Sequence, residues 1–215
     1  MSHEFTVTSS ELLVDAPIIA LRRDRVVMPG GGGTDREVVE HFGAVAVVAL
    51  DADGRVALVE QYRRSVDRRL IELPAGLLDV GDEPALECAR RELQEEAGLA
   101  ANNWEVLVDI VTSPGFSDEA VRIFLATDLR EVDRPEAEHE EADMALHVVP
   151  LETAQKQVLA GKITNSIAVA GILAAAAVVA GAAQTRGTEV PFDLRPTRLA
   201  ERRKALGLGA DMKRI

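Results

Sequence analysis

The chain has 215 residues, 47% of them hydrophobic but only 3% aromatic, and a formal net charge of −12. That length suits one medium domain with extensions, packed by Ala, Val and Leu. The acidic balance weighs against a general nucleic-acid or membrane-surface binder, which would show a basic patch, but is compatible with an anionic small molecule whose charge is met by metal ions.

In chain order, Phe5–Thr8 and Arg25–Met28 read as short strands. Pro29 and the run Gly30–Gly33 read as a flexible turn or linker between an N-terminal hairpin and the main domain. Arg36–Phe42 leads into the buried-strand pattern Ala44–Leu50, and Asp51-Ala52-Asp53-Gly54 turns the chain into a second strand, Arg55–Tyr62. Leu70–Leu73 is a third short strand, ended by Pro74-Ala75-Gly76. Glu83–Ala97 reads as a helix, with Pro84 in its first turn and Gly98 just past its end. Strands follow at Trp104–Thr112 and Val121–Leu129, joined by the loop Ser113–Glu119. After the acidic stretch Glu131–Asp143 come a strand at Ala145–Val149 and helices over Glu152–Ala160 and Ser166–Ala183. Ile167–Ala183 is wholly apolar or small, yet short for a membrane span and rich in Ala and Gly. With Asn165 and Ser166 able to cap it, it is expected to be a buried or interface helix. The tail from Gln184 is richer in Arg and Pro and is expected to be ordered only in part. The whole is of the α+β class. One cysteine, Cys88, permits no intrachain disulfide and fits a reducing compartment. No secretory pattern opens the chain, so a cytoplasmic location is expected.

The chemistry concentrates in Gly76–Leu99. At about 100° per residue, Leu86, Ala89, Leu93 and Ala97 share an arc of roughly 80° that should face the core. Glu92, Glu95 and Glu96 crowd a neighbouring arc of roughly 100°. Three such carboxylates alone are an ordinary acidic surface, but their mutual repulsion would be relieved by a hard divalent cation such as Mg²⁺ or Mn²⁺.

The surrounding residues sharpen that reading. Glu83, Arg91-Glu92-Leu93, Glu95-Glu96 and Gly98-Leu99, with Gly76 upstream, resemble the signature box of the Nudix family. From Glu83 to Leu99 the match is complete. The one departure is that six residues, rather than five, separate Gly76 from Glu83, which leaves open whether Asp82 or Glu83 pairs with Arg91. Pro114, sixteen residues beyond Gly98, and the segments Arg36-Glu37, Gln61-Tyr62-Arg63 and Asn165-Ser166 are similar to the bacterial, especially actinobacterial, ADP-ribose pyrophosphatases of that family.

The resemblance implies a Nudix α/β/α sandwich with a mixed sheet over 43–184, preceded by a β-rich dimerisation segment at 1–42 and followed by a tail at 185–215. It implies Mg²⁺, with Mn²⁺ as an alternative and more than one ion per site. The implied ligands are Glu92, Glu96 and the carbonyl of Ala75, with Glu95 supporting and Glu141 able to touch a metal. Gly76, Glu83, Arg91, Gly98 and Pro114 would be structural. Arg63, Leu77, Phe116, Asp118 and Glu119 would hold substrate, together with Arg36 and Glu37 from the partner subunit of a homodimer. Glu141 is the first candidate for the base and Glu140 the second, with Glu95 also catalytic. The implied reaction is hydrolysis of ADP-ribose to AMP and ribose 5-phosphate, with no nucleic-acid or membrane partner. A different nucleoside diphosphate sugar or dinucleotide is the alternative substrate. A non-catalytic ADP-ribose sensor is the alternative of another class; in it the basic tail residues Arg195, Arg198, Arg202, Arg203 and Lys204 could contact an acidic partner.

Overall fold

A computed structural model describes residues 4–135 and 143–213. The continuous apolar run Ala44–Ala49 forms β4, and every residue of it is buried. Alternation along a strand sends its side chains to opposite faces. Ala44, Ala46 and Val48 face one core, shared with Ala168, Ile172 and Ala175 of helix α3 (Ser166–Val179). Val45, Val47 and Ala49 face a second core, shared with Cys88, Ala89 and Leu93 of helix α1 (Ala85–Ala97). A strand covered on both faces has no solvent side, which is why it lacks the polar alternation of a half-buried strand.

Around β4 the sheet is mixed, in the order β7-β4-β9-β8. β9 (Ala120–Glu131) runs parallel to β4, whereas β7 (Ala75–Leu77) pairs with β4 antiparallel and β8 (Leu99–Val111) with β9 antiparallel. With α1 on one face and α3 on the other, this is the expected α/β/α sandwich. Gly171 lets α3 approach closely, since a Cβ there would lie 2.6 Å from Leu73 Cδ1 and 3.1 Å from Val48 Cγ2. Asn165 caps this helix, its side chain accepting from Ala168 N at 2.9 Å. No helix among the described residues is long and apolar enough to cross a membrane. A second sheet, ordered β10-β5-β6, joins β5 (Arg55–Arg63), β6 (Arg68–Glu72) and β10 (Ala145–Pro150), all antiparallel. Helix α2 (Leu151–Leu159) follows it.

The N-terminal segment is a three-stranded antiparallel sheet of β1 (Thr6–Asp15), β2 (Ala20–Val27) and β3 (Gly33–Glu40). This corrects the placement of the glycine run: it is a turn, one of its two readings, but it lies within this sheet rather than between a hairpin and the main domain. Gly30–Gly32 lie in the turn between β2 and β3, closed by Met28 N donating to Gly32 O at 2.7 Å and Gly31 N to Met28 O at 3.0 Å. Gly30 and Gly31 have φ of 103° and 97°, a region that favours glycine, so the run serves a tight reversal.

The tail carries a helix, α4 (Arg198–Ala205), that packs back on this sheet. Leu199 and Met212 are wholly buried with Ala20 and Phe42 in a third small core. Arg202, Arg203 and Lys204 of the tail pair with acidic residues of the chain itself. The fully buried Arg203 donates to Asp15 Oδ2 at 2.8 Å and to Ala16 O at 2.7 Å. Glu40, also fully buried, accepts from Arg22 at 2.9 Å and from Arg202. Lys204 reaches Asp82 at 2.6 Å.

Candidate active site

Helix α1 starts after Pro84, whose φ of −63° and ψ of 144° place it as the N-cap. It ends at Gly98, in the left-handed conformation at φ 66°, whose N–H bonds back to Gln94 O. Ala89, Leu93 and Ala97 are buried, which fixes the rotation of the helix and turns the glutamate arc toward β7.

The turn at Ala75-Gly76 meets that arc. Gly76 is a cradle for Glu92, because a Cβ at residue 76 would overlap the Glu92 carboxyl carbon and Oε1. Glu96, only 8% exposed, accepts a hydrogen bond from Ala75 N at 2.9 Å. Two carboxylates thus meet the same backbone turn. Burial, added to by acidic neighbours and opposed by Arg91 at Glu92 and by the Ala75 amide at Glu96, pushes the Glu92 carboxyl up to about 7 and that of Glu96 up to about 8.

Arg91 holds the cluster together. Its guanidinium reaches both oxygens of Glu83 at 3.2 Å, Glu92 Oε1 at 2.7 Å and Glu95 Oε2 at 2.9 Å. This settles the spacing departure in favour of Glu83. Asp82, with φ 64°, pairs outward with Lys204, so the extra loop residue is absorbed by a left-handed turn that leaves Glu83 aligned with Arg91.

Beside Glu96 lies a buried acidic anchor that the sequence did not single out. Glu72, 3% exposed, grips Arg63 through two bonds of 3.0 and 2.7 Å and accepts from Gln61 at 3.4 Å. Arg63 and Glu72 both act on the charge of Glu96. The pairing of β5 with β6 sets Glu72 opposite Val59, and the long Arg63 side chain reaches back along β5 to it, a contact that local sequence does not disclose.

The loop Ser113–Glu119 is held against the end of β3. Phe116 O accepts from Val39 N at 2.7 Å, and Asp118 N donates to Val39 O at 3.1 Å. Asp118 Oδ1 accepts from His41 N at 2.8 Å, and Glu119 accepts from Thr112 Oγ1. Phe116 is 59% exposed, and Pro114 is exposed. Leu77 is half-buried and lines a cavity of about 290 Å³ with Asp79, Arg91 and Glu92. Arg36 and Glu37 lie in the N-terminal sheet, where Arg36 donates to Thr34 at 3.4 Å and Glu37 pairs with Arg23 at 2.8 Å. Glu140 and Glu141, the expected bases, lie outside the described residues.

Among the described residues no three Asp, Glu, His or Cys side chains are already arranged to hold an ion. Arg91 engages Glu92 and Glu95. What the structure does provide is two carboxylates, one buried and one half-buried, hard oxygen donors meeting one glycine-bearing turn. That donor chemistry fits a divalent cation.

The profile of the NUDIX domain matches residues 40–167, and that of the nucleoside diphosphate sugar hydrolase N-terminal domain matches residues 5–39. The ADP-ribose pyrophosphatase of Mycobacterium tuberculosis is 58% identical over 201 residues, covering 94% of this chain and 97% of that one. The ADP-ribose pyrophosphatase of Bacillus subtilis is 37% identical, and the methanol dehydrogenase activator of Bacillus methanolicus 33%, each over 73% of this chain and 84% of the relative. A crystal structure of an ADP compounds hydrolase shares the fold, with a TM-score of 0.70 at 20% identity over 83% of this chain and 95% of that one. With the domain profile matched over more than half its length and a relative 58% identical along nearly all of it, this chain belongs to the Nudix family.

Proposed function

We infer that this chain hydrolyses ADP-ribose to AMP and ribose 5-phosphate, using Mg²⁺, replaceable by Mn²⁺, with more than one ion per site. The observation that carries the reading is the convergence of Glu92 and Glu96 on the Ala75-Gly76 turn. Bound there, a divalent cation would neutralise the diphosphate and lower the pKa of an attacking water. Glu92 and Glu96 are the side chains that would hold it, with the Ala75 carbonyl. Arg91 keeps Glu92 and Glu95 in place through a single nitrogen. Arg63, fixed by Glu72, presents a guanidinium suited to a phosphate. Glu141, with Glu140 second, is assigned as the base by resemblance. The names of the Mycobacterium tuberculosis and Bacillus subtilis relatives support ADP-ribose over other nucleoside diphosphate derivatives.

The assignment is tested by following AMP release from ADP-ribose, ADP-glucose, NADH and diadenosine polyphosphates with Mg²⁺. ADP-ribose should be preferred, and Glu96→Gln should lower turnover on the order of 10²-fold. Preference for another compound would sink the substrate assignment, and full activity of the variant would sink the metal assignment.

Because burial raises Glu92 and Glu96, the metal-free folded chain holds protons that the unfolded chain gives up. Their contribution to stability is therefore present at low pH and is lost as pH rises from the ordinary carboxylate range through about 8. Cation binding requires the deprotonated forms. The rise in Tm produced by Mg²⁺ should therefore be small at pH 6 and larger at pH 8.5. A pH-independent rise would contradict this linkage.

The proposed assembly is a homodimer in which Arg36 and Glu37 reach the partner's site. It is supported by the position of both residues in the N-terminal sheet and by the exposed apolar side chains of Val7, Leu12 and Val14 on β1. Light scattering should give twice the chain mass, and a monomer would refute the shared site.

A further inference from the structure

The end of the tail lies against the turn between β7 and α1, where it forms one wall of the cavity beside Glu92. Asp211 and Lys213 line that cavity with Leu77, Asp79, Arg91 and Glu92. Three contacts fasten the tail there. Gly81 N donates to Gly209 O at 2.7 Å, Met212 N donates to Asp79 O at 3.0 Å, and Lys213 Nζ lies 2.8 Å from Asp79 Oδ2. Met212 is fully buried with Phe42 and Leu199, so this part of the tail is anchored in a core of its own. The approach at Gly81 is close enough that a Cβ there would overlap the Gly209 carbonyl oxygen. Asp79 is 4% exposed, and its charge acts on Glu92.

We propose that Gly209–Lys213 is a strap that fixes the turn leading into the metal helix, with Lys213 as a positioning residue that pairs with Asp79 beside Glu92 and so sets Glu92 for cation binding. The inference rests on the metal-site reading above. Buried charges need a partner, and Asp79 has Lys213 as its cation at 2.8 Å. With Asp79 so engaged and the turn tied at both Gly81 and Asp79, the path from Gly76 to Glu83 is held over its length. Such supporting contacts orient the groups that bind the ion without touching it.

The test is Mn²⁺ binding to metal-free, full-length protein, read by electron paramagnetic resonance with no substrate present. Gly81→Ala dislodges the strap without altering any charge, and its backbone lies outside the left-handed region, so alanine is locally tolerated. Lys213→Met removes the ammonium. Each should weaken Mn²⁺ binding about tenfold. Lys213→Arg should bind as the wild type does, and the double variant should be little worse than either single one because both act through the same strap. The sign discriminates between explanations. Loss of a nearby positive charge by itself would tighten cation binding, so weakening in Lys213→Met requires a positioning role. Binding by Lys213→Met as tight as or tighter than wild type overturns the strap, as does unchanged binding by Gly81→Ala. A wild-type chain that binds no Mn²⁺ overturns the metal-site reading and the strap with it.

Discussion

Glu92 can lie against the Ala75-Gly76 turn only because residue 76 has no side chain, and the geometry of the site follows from that approach. It brings the second half of α1 down onto β7, which places Glu96 within reach of the Ala75 amide. Two carboxylates drawn out of water at one turn are costly unless something positive compensates them. Arg91 supplies part of that compensation from within the helix, bridging Glu83, Glu92 and Glu95. The rest is the role assigned to a divalent cation. The site is therefore kept under electrostatic tension by its own packing, and the apolar face of α1 holds it there.

The two-sided burial of β4 explains why that tension can be sustained. α1 is pressed onto one face of the sheet by Cys88, Ala89 and Leu93, and α3 closes the other. α3 comes close because Gly171 meets Leu73, Val48 and Ile123 where any side chain would crowd them. Arg63 and Glu72 reach the site from the second sheet, so the pocket draws on elements distant in sequence.

Much of this was legible in the chain. The Glu83–Leu99 pattern disclosed the helix, its buried face, its carboxylate arc and its glycine stop, because periodicity and spacing are local properties. The run Ala44–Leu50 disclosed a buried strand. Less visible were features fixed by distant pairing. Glu72 is one of several acidic residues in the sequence, and it becomes the anchor of Arg63 only when β5 and β6 pair and the Arg63 side chain reaches back to it. The glycine run read as either a turn or a linker because composition does not reveal whether a flexible segment spans domains or reverses a hairpin; the pairing of β2 with β3 decides for the turn. Likewise nothing local in the tail discloses that Glu40, Asp15 and Asp82 receive the charges of Arg202, Arg203 and Lys204 within the chain.

Gly76→Ala probes the Gly76–Glu92 approach most directly. The added methyl meets only the movable end of the Glu92 side chain among its nearest neighbours, so the chain should fold as before with Glu92 displaced from the turn. With circular dichroism and Tm near those of the wild type, both Mn²⁺ binding and ADP-ribose hydrolysis should fall steeply. Undiminished binding and turnover in that variant would show that the Gly76–Glu92 approach does not make the site.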